Sequence, residues 1–255
     1  MSPKLTGTVA LVTGASSGIG AATARHLAEH GATVALVARR KDRLVTLVAD
    51  IERDGGAATA VEADVSDRAQ ADAAVAETVQ RFGRLDIVVN NAGLMLLGPV
   101  AGADAQDWDR MIAVNVSGLL NTTHAALPHL LAAAEDGPRE VADIVNVSSV
   151  AGRNASEGYG VYSLTKFGVN GFTESLRQEV TRRHVRVGVI EPGGVNTELG
   201  SHNSSAIQAR IIEPFNASVE ALAPEDVAES IGYMVTRPRH AAIGELWIMP
   251  TEQLV

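Results

Sequence analysis

The sequence lacks cysteine, lacks a long uninterrupted apolar run and carries no excess of positive charge. Without cysteine there is neither a disulfide framework nor a thiolate metal site, which is typical of a reducing cytoplasm. The first residues, MSPKLTGTVALVTG, lack the apolar core and cleavage site of a signal peptide, and no apolar run reaches the length of a membrane span. The net charge of −9 opposes association with nucleic acid or with an anionic membrane. We therefore expect a soluble cytoplasmic protein.

Short β-branched runs alternate with longer alanine-rich helical patterns along the 255 residues, of which 46% are hydrophobic and 20% are charged. The predicted strands are 8–14, 33–38, 57–64, 85–90, 143–149 and 185–192, with a last apolar run at 246–249. The predicted helices are 18–31, 41–54, 67–82, 105–134 and 159–184. Because the strands are apolar almost throughout, helices should cover both faces of a parallel sheet. The pattern predicts an α/β fold with a single doubly wound parallel sheet of Rossmann type, forming one domain over residues 1–255. Residues 196–216 are predicted as a substrate lid, because most of this stretch has no clear pattern.

The first strand is followed by a glycine-rich turn, Thr13-Gly-Ala-Ser-Ser-Gly-Ile-Gly20. Small residues there permit a tight turn and let a diphosphate approach the backbone, while the following helix offers its N–H groups and its dipole. A glycine-rich turn without a ligand is the alternative, which the strand before it and the helix after it disfavour. The candidate diphosphate-binding residues are Gly14, Ser16, Ser17, Gly18, Ile19 and Gly20.

The ends of the second and third strands carry candidate residues for the adenosine part of a dinucleotide. Sites that select NAD usually place an acid after the second strand, whereas an arginine accommodates the extra phosphate of NADP. Here Ala38 stands where the acid is expected, and Arg39 and Arg40 follow it, so we predict NADP(H); helix-flanking surface charge is the alternative. Asp64, beside Val65, could bind the adenine amino group or cap the following helix.

The tetrad NNAG at 90–93 follows the fourth strand, where its side chains could equally serve the strand end or a cofactor. It completes a pattern that resembles the short-chain dehydrogenase/reductase family across nearly the whole chain: a TGxxxGxG turn, NNAG, a helix Asn, a Ser, YxxxK and a PG turn. The matching residues are Thr13, Gly14, Gly18, Gly20, Asn90, Asn91, Ala92, Gly93, Asn115, Ser149, Tyr162, Lys166, Pro192 and Gly193. Segments such as VIEPGGVNTEL are similar to the NADP-dependent clavaldehyde dehydrogenase branch. The ending GELWIMPTEQLV departs from the Gly-Gly-rich segment of many members.

Tyr162 and Lys166 lie four residues apart, on one face of a predicted helix. A free phenol has a pKa of about 10, too high for efficient proton exchange near neutrality, and a neighbouring ammonium lowers it. The spacing therefore predicts an acid–base pair for hydride-transfer chemistry, in which one proton moves with each hydride. The hydroxyl of Ser149, which closes the fifth strand, could donate a hydrogen bond to the developing alkoxide. Asn115 is unexpected inside a helix unless its amide is used, and a satisfied buried amide is the alternative.

The family resemblance implies further roles for these residues. It implies that Lys166 also holds the nicotinamide ribose hydroxyls and that Asn115 holds a water molecule in a proton relay. It further implies that the backbone near Val195 and the hydroxyl of Thr197 hold the carboxamide, just after the turn at Pro192 and Gly193.

The predicted reaction is the NADPH-dependent interconversion of a ketone or aldehyde and an alcohol, with Tyr162 as acid and base. Two alternatives stay open: a 3-oxoacyl-carrier-protein ketoreductase, which an acidic chain disfavours because the carrier protein is itself acidic, and a non-catalytic NADP(H)-binding sensor. The resemblance implies a homotetramer or homodimer that pairs the helices at 105–134 and 159–184. No metal site is predicted, because His124 and His129 lie five residues apart on a helix, a poor spacing for a shared ion.

Substrate contacts are predicted after the fourth strand and in the loop that leads to the tyrosine. The candidate residues are Met95, Ser149, Arg153 and Tyr162. Apolar neighbours such as Leu94 and Leu96 favour a hydrophobic or mixed carbonyl compound. Arg153 could meet a substrate carboxylate or anchor its own loop, and His202 and Arg210 are lid residues without an assigned role.

Overall fold

The apolar runs form a single sheet of seven parallel strands within residues 4–254, the part of the chain that the computed structural model describes. The strands are β1 (Val9–Thr13), β2 (Thr33–Ala38), β3 (Ala57–Glu62), β4 (Ile87–Asn90), β5 (Ala142–Val147), β6 (Val185–Pro192) and β7 (Glu245–Ile248). Their order across the sheet is β3-β2-β1-β4-β5-β6-β7. The central strands β1, β4, β5 and β6 are buried along their whole length, which explains their mostly apolar sequences. The prediction of a doubly wound α/β fold is confirmed.

Helices cover both faces of this sheet. They are α1 (Gly18–Glu29), α2 (Lys41–Arg53), α3 (Arg68–Phe82), α4 (Ala105–Ile112), α5 (Leu119–Asp136), α6 (Gly160–Val180), α7 (Ser205–Ile207), α8 (Glu213–Ser218) and α9 (Pro224–Val235). One buried cluster joins the sheet to α1, α2 and α9 through residues such as Leu27, Leu44 and Ile231. A second cluster joins the opposite face to α3, α5 and α6, for example through Val75 and Leu130. Of the helices within the described residues, none has the length and apolarity to cross a membrane.

The helix predicted at 105–134 is not continuous. α4 ends at Ile112, a wider π-helical segment follows over Ala113–Gly118, and α5 then continues the rod. The segment contains Asn115, whose relative exposure is 2%. Such wide turns within α-helices are frequent at functional positions, because they redirect one side chain without ending the helix. The interruption therefore places Asn115 differently from a regular helical residue.

Candidate active site

A cavity of about 1190 Å3 opens beyond the carboxyl ends of the strands. It lies at the switch point of the sheet, where the neighbouring strands β1 and β4 lead to helices on opposite faces. Most of the predicted site residues line it: Gly14, Ser16, Ser17, Gly18, Ile19, Arg39, Arg40, Asp64, Val65, Asn91, Ala92, Gly93, Met95, Ser149, Tyr162, Lys166, Pro192, Gly193, Val195 and Thr197. Gly20, Asn115 and Arg153 lie outside this lining.

The glycine-rich turn leaves the start of α1 open toward the cavity. Gly14 has a φ of +65°, and a Cβ there would lie 2.8 Å from the Cα of Ala92, so only glycine fits. A Cβ on Gly20 would strike the carbonyl of Gly14, which explains the need for Gly20 behind the cavity wall. The side chain of Ser17 makes no capping bond to the first N–H groups of α1. An uncapped helix N-terminus beside a glycine-rich turn fits an anionic diphosphate.

The NNAG tetrad ties the end of β4 to this turn. The Nδ2 of Asn91 donates to the carbonyl of Thr13 at 2.9 Å, and the hydroxyl of Thr13 accepts from the backbone N–H groups of Asn91 and Ala92, both at 3.0 Å. Asn90 is buried and donates to the side chain of Asn146 on β5 at 2.9 Å. The asparagine side chains therefore hold neighbouring strand ends together, and this keeps the tetrad at the cavity wall.

Arg39 and Arg40 follow β2 and have different surroundings. The Arg39 side chain is 74% exposed, and its guanidinium lies 3.8 Å from the carboxylate of Asp64. An ion pair that is this exposed to solvent is weak. Arg39 can therefore exchange Asp64 for an anion of higher charge. Arg40 donates to the hydroxyl of Ser16 at 2.9 Å and to that of Ser17 at 2.7 Å. Arg40 therefore joins the end of β2 to the glycine-rich turn.

Asp64 does not cap α3, which was one of the two roles left open by the sequence. The cap is Asp67, whose side chain accepts from the backbone N–H of Gln70 at 3.1 Å. Asp64 instead accepts from the N–H and the hydroxyl of Ser66, at 3.0 and 2.7 Å. These bonds fix the carboxylate at the cavity wall, and its role toward an adenine amino group stays a prediction.

Ser149, Tyr162 and Lys166 meet at the cavity wall. The side chain of Ser149 lies near enough to the Tyr162 phenol to favour its ionised form and so lower its pKa. Ser149 is itself fixed, since its hydroxyl accepts from the N–H of Ala151 at 3.1 Å in the 3-10 turn Val150–Gly152. The Nζ of Lys166 lies 5.7 Å from the centroid of the Tyr162 ring. The predicted trio is therefore brought together by the end of β5 and the first turns of α6.

The acidity of the pair differs from the sequence expectation. Burial raises the pKa of the Tyr162 phenol to about 12, against the opposing effect of the Ser149 side chain. Burial also lowers the pKa of Lys166 to about 8, and its ammonium donates to the carbonyl oxygen of Val147 at 2.9 Å. The expectation that Lys166 brings the phenol pKa below 10 is corrected, because desolvation dominates and the ammonium faces the ring rather than bonding the hydroxyl.

Asn115 lies behind the cavity wall, in the π-helical segment. Its Oδ1 accepts from the N–H of Leu94 at 2.7 Å, and its Nδ2 donates to the carbonyl of Leu94 at 2.9 Å and to the hydroxyl of Thr165 at 3.1 Å. Protein groups thus satisfy both ends of the amide, which agrees with the alternative of a buried structural asparagine. The water-holding role that the family implies stays a prediction.

The predicted lid at 196–216 consists of short helices. They are a 3-10 turn (Glu198–His202), α7, a π-helical segment (Gln208–Ile212) and α8. Ile207, Ile211 and Ile212 pack against the buried cluster that contains Tyr162. The segment therefore covers the apolar end of the cavity, and its movement as a lid stays a prediction.

One buried side chain anchors this segment to the loop after β4. Asn203, at 6% exposure, accepts from the N–H of Leu97 at 2.6 Å and donates to the carbonyl of Met95 at 3.0 Å. His202 and Arg210 line the cavity on either side of the anchor, and Arg210 pairs with the exposed Glu157 at 3.1 Å.

Arg153 does not line the cavity, and its contacts favour the loop anchor over the substrate contact, the two roles that the sequence left open. Its Nε donates to the fully buried Glu191 at 3.1 Å, a second nitrogen pairs with Glu245, and its guanidinium stacks 5.4 Å from the Trp247 ring centroid. Asn170 donates to the same Glu191 at 2.5 Å. Arg153 therefore anchors the loop after Ser149 to β6 and β7, because the buried carboxylate attracts the cation away from the cavity.

We expect Arg153→Met to lower the free energy of unfolding by about 2 kcal/mol at neutral pH. Breaking a fully buried ion pair costs ~3–5 kcal/mol, and the cost is smaller here because the Arg153 side chain is 37% exposed. Burial already raises the pKa of Glu191, and loss of the cation raises it further. A carboxyl with a raised folded pKa loses stability as pH rises, so the deficit should be smaller at about pH 5 than at pH 7. Denaturant unfolding at both pH values measures this. Adding Glu191→Gln should restore part of the loss; a double variant no more stable than the single one contradicts the assignment.

Sequence reasoning missed several cavity residues, of which three make contacts that bear on the site. Tyr159 lies 6.4 Å from Tyr162, ring centroid to ring centroid, at the substrate end. Gln253 accepts from the N–H of Gly194 at 2.8 Å and so supports the turn after β6. Glu198 pairs with Arg40 at 2.8 Å. Tyr159 lies in the loop already predicted as pocket wall, whereas the contacts of Gln253 and Glu198 span 59 and 158 residues and leave no local signal.

The comparisons with known proteins agree with this geometry. A family model described as short chain dehydrogenase matches residues 8–208, so the chain belongs to that family of oxidoreductases. The glycine betaine reductase ATRR of Emericella nidulans is 39% identical over 250 residues, which is 98% of this chain but 19% of that protein. An uncharacterized oxidoreductase of Staphylococcus aureus (strain N315) is 34% identical over 247 residues, covering 96% of this chain and 98% of that protein.

Solved structures share the fold over nearly the whole chain. A serine dehydrogenase in its closed form, complexed with NADP+, has a TM-score of 0.88 and 33% identity, with 97% of each chain covered. A 3-ketoacyl-(acyl-carrier-protein) reductase from Brucella melitensis, complexed with NADH, has a TM-score of 0.86 and 30% identity, with 97% of this chain and 99% of that chain covered. Both are relatives that bind a nicotinamide dinucleotide.

Proposed function

We propose that the protein interconverts a ketone or aldehyde and the corresponding alcohol by hydride transfer, with NADP(H) as cofactor. The observation that carries the proposal is that Ser149, Tyr162 and Lys166 line the same cavity as the glycine-rich turn, with the Lys166 ammonium 5.7 Å from the centroid of the Tyr162 ring. When bound, the reduced nicotinamide supplies the hydride. The chain supplies the proton and the polar groups that hold the substrate oxygen.

Tyr162 is the proton donor in reduction. Its raised pKa of about 12 keeps the phenol protonated at neutral pH, which is the form that donates. The hydroxyl of Ser149 donates a hydrogen bond to the substrate oxygen as negative charge develops there. In oxidation the same phenol must release its proton first, and positive charge near it, including that of Lys166, assists this step. Reduction near neutrality is therefore the easier direction for these residues.

The residues around the cavity suit the parts of a dinucleotide. The glycine-rich turn and the start of α1 would hold the diphosphate, and Lys166 would hold the ribose hydroxyls. Val195 and Thr197 would hold the carboxamide after the turn at Pro192. The exposed guanidinium of Arg39 would hold the 2′-phosphate, and the NADP+ bound to the serine dehydrogenase supports this choice.

Arg39→Ala should weaken NADPH binding about tenfold and leave NADH binding within about twofold, because only NADPH carries the phosphate that the guanidinium would hold. Fluorescence titration of each reduced cofactor measures the two dissociation constants. Arg53→Ala, which removes a 68% exposed arginine at the far end of α2, is the matched control. An equal loss for both cofactors would contradict the role of Arg39 in phosphate selection.

The proposed substrate has an apolar body around its carbonyl group. Leu94, Met95, Ile211 and Phe215 line the cavity, whereas Arg153 is held by two glutamates outside it. A neutral apolar compound therefore fits better than the carboxylate-bearing substrate suggested by the likeness to the clavaldehyde dehydrogenase branch.

A carrier-protein ketoreductase is the second candidate, and the Brucella melitensis neighbour favours it. The net charge of −9 opposes docking of an acidic carrier protein. A screen of free aldehydes, ketones and alcohols with NADPH and NADH tests both candidates. Turnover of free apolar carbonyl compounds with NADPH is expected. Activity confined to carrier-bound substrates would favour the second candidate, and tight NADPH binding without any turnover would indicate a sensor.

We also propose a homo-oligomer in the cytoplasm, paired through α5 and α6. Large apolar side chains on these helices are exposed: Leu120 by 39%, Leu164 by 63% and Phe167 by 46%. Exposed apolar groups on adjacent helices are typical of a surface covered by another protein. Light scattering on a sizing column should give a dimer or tetramer, and a monomer at micromolar concentration would contradict this part of the proposal.

A further inference from the structure

An ion-pair network joins the glycine-rich turn to the start of the lid segment. The carboxylate of Glu198 accepts from Arg40 at 2.8 Å and from Arg43 at 2.7 Å. The same Arg40 guanidinium donates to the hydroxyls of Ser16 and Ser17. One cation therefore connects two serines of the turn with a carboxylate that follows β6.

Apart from Arg43, the residues of this network lie in the cavity wall. Ser16, Ser17, Arg40 and Glu198 all line the cavity, together with Arg39. The side chains of Arg40 and Glu198 are 41% and 44% exposed, so an incoming anion has access to both. Glu198 is thus a negative charge seated among the cationic and hydroxyl groups that a phosphate would use.

Glu198 stays ionised under all ordinary conditions. Its bonds to Arg43 and Arg40 lower its pKa to about 2. A phosphate that approaches Arg40 must therefore displace this carboxylate or remain next to it. Both outcomes oppose binding, since the first breaks an ion pair and the second places like charges together.

We infer that Glu198 is a specificity-determining residue that occupies Arg40 in place of the cofactor 2′-phosphate and thereby limits the preference for NADP(H) over NAD(H). The inference rests on the proposed binding of a nicotinamide dinucleotide. NADH lacks the 2′-phosphate and meets less of this opposition. The carboxylate therefore narrows the difference in affinity between the two cofactors.

The alternative is that Glu198 helps the cofactor by orienting Arg40. The bonds of Arg40 decide between the two roles. Three contacts to the hydroxyls of Ser16 and Ser17, at 2.7 to 3.1 Å, hold the guanidinium without Glu198. Removing the carboxylate therefore leaves Arg40 in place and removes only the competing charge.

The test compares Glu198→Gln with the wild-type protein and with Glu213→Gln. Glu213 is an exposed carboxylate in the first turn of α8 and does not line the cavity, so its variant removes the same charge from the same segment. Fluorescence titration gives the dissociation constants of NADPH and NADH for each protein, without turnover. Thermal unfolding and circular dichroism check that the variants are folded.

We expect Glu198→Gln to bind NADPH about three- to tenfold more tightly, with NADH changed by less than about twofold, because the 2′-phosphate brings nearly two extra negative charges. Glu213→Gln should change neither constant by more than about twofold. The gain should shrink at about 1 M salt, where the Debye length is only about 3 Å. Unchanged or weaker NADPH binding, or equal tightening for both cofactors, overturns the inference.

The two proposals fail in different ways. A wild-type protein that binds neither cofactor removes the basis of both. If the wild-type protein binds both cofactors equally, the proposed NADP(H) preference is contradicted. If Glu198→Gln then tightens the binding of NADPH alone, the inference is still supported. If the wild-type protein strongly prefers NADPH and Glu198→Gln leaves that preference unchanged, the proposed cofactor is supported and the role of Glu198 is overturned.

Discussion

Tyr162→Phe should lower the rate of carbonyl reduction about a thousandfold, because the variant keeps the ring but removes the proton that must reach the substrate oxygen. NADPH binding should stay within about twofold, since the glycine-rich turn and Arg39 are untouched. The side chain is 5% exposed, and phenylalanine fills nearly the same volume, so folding is preserved. The measurements are the kcat and KM of the best carbonyl substrate and a fluorescence titration of NADPH.

Tyr233→Phe is the matched control. It removes a phenol from α9 that is 49% exposed and lies outside the cavity lining. Its kcat should equal that of the wild-type protein. Retention of more than about a tenth of the wild-type kcat by Tyr162→Phe would contradict a role in general acid catalysis, whose usual contribution is about 10²- to 10⁴-fold.

Lys166 should give the reduction its alkaline limit. Its ammonium is buried and has a pKa of about 8, so the positive charge beside Tyr162 is present below that pH and lost above it. The kcat/KM for reduction reports groups of the free enzyme, so it should be level at neutral pH and fall above pH 8. Tyr162, with its pKa of about 12, stays protonated through this range and does not set the limit.

Lys166→Met should lower kcat/KM about a hundredfold and abolish the pH dependence, because methionine fills the buried site without a charge that titrates. Lys166→Arg keeps the charge to higher pH, so any activity that it retains should persist above pH 8. Rate profiles over pH 6 to 10 for the three proteins measure this, at about constant ionic strength. A wild-type profile without an alkaline fall, or the same fall in Lys166→Met, would contradict the assignment.

Much of the fold could be predicted because its signals are local. Most strands are short runs rich in β-branched residues, and each helix along the first half of the chain follows with a regular period. Helix α9 also has local signals, with Pro224 at its first position and Asp226 bonded to the backbone N–H of Ala223, but these were overlooked. The break between α4 and α5 had no such signal, because the hydrogen bonds of Asn115 to Leu94 span 21 residues.

The candidate site likewise has parts that a few neighbouring residues predict and parts that depend on contacts between distant residues. The glycine-rich turn, NNAG and the Tyr162–Lys166 spacing are each contained in a few residues, and most of these residues line the cavity, whereas Gly20 and Asn90 support its wall. The role of Arg153 was left open between a substrate contact and a loop anchor, because sequence distance hides its partners, Glu191 and Glu245. The pKa of Tyr162 also depends on burial, which no single neighbour along the chain determines.

By itself, the amino-acid sequence determined the strand–helix alternation, the glycine-rich turn at Gly14 and the presence of Tyr162 and Lys166 on one helical face. These depend on residues within a few positions of one another, where backbone geometry alone sets the outcome. Only the tertiary structure decided that Arg153 is an anchor, that burial keeps the phenol protonated, and that Glu198 occupies Arg40. Desolvation and ion pairing depend on what surrounds a group in space, and residues distant in the chain supply those surroundings.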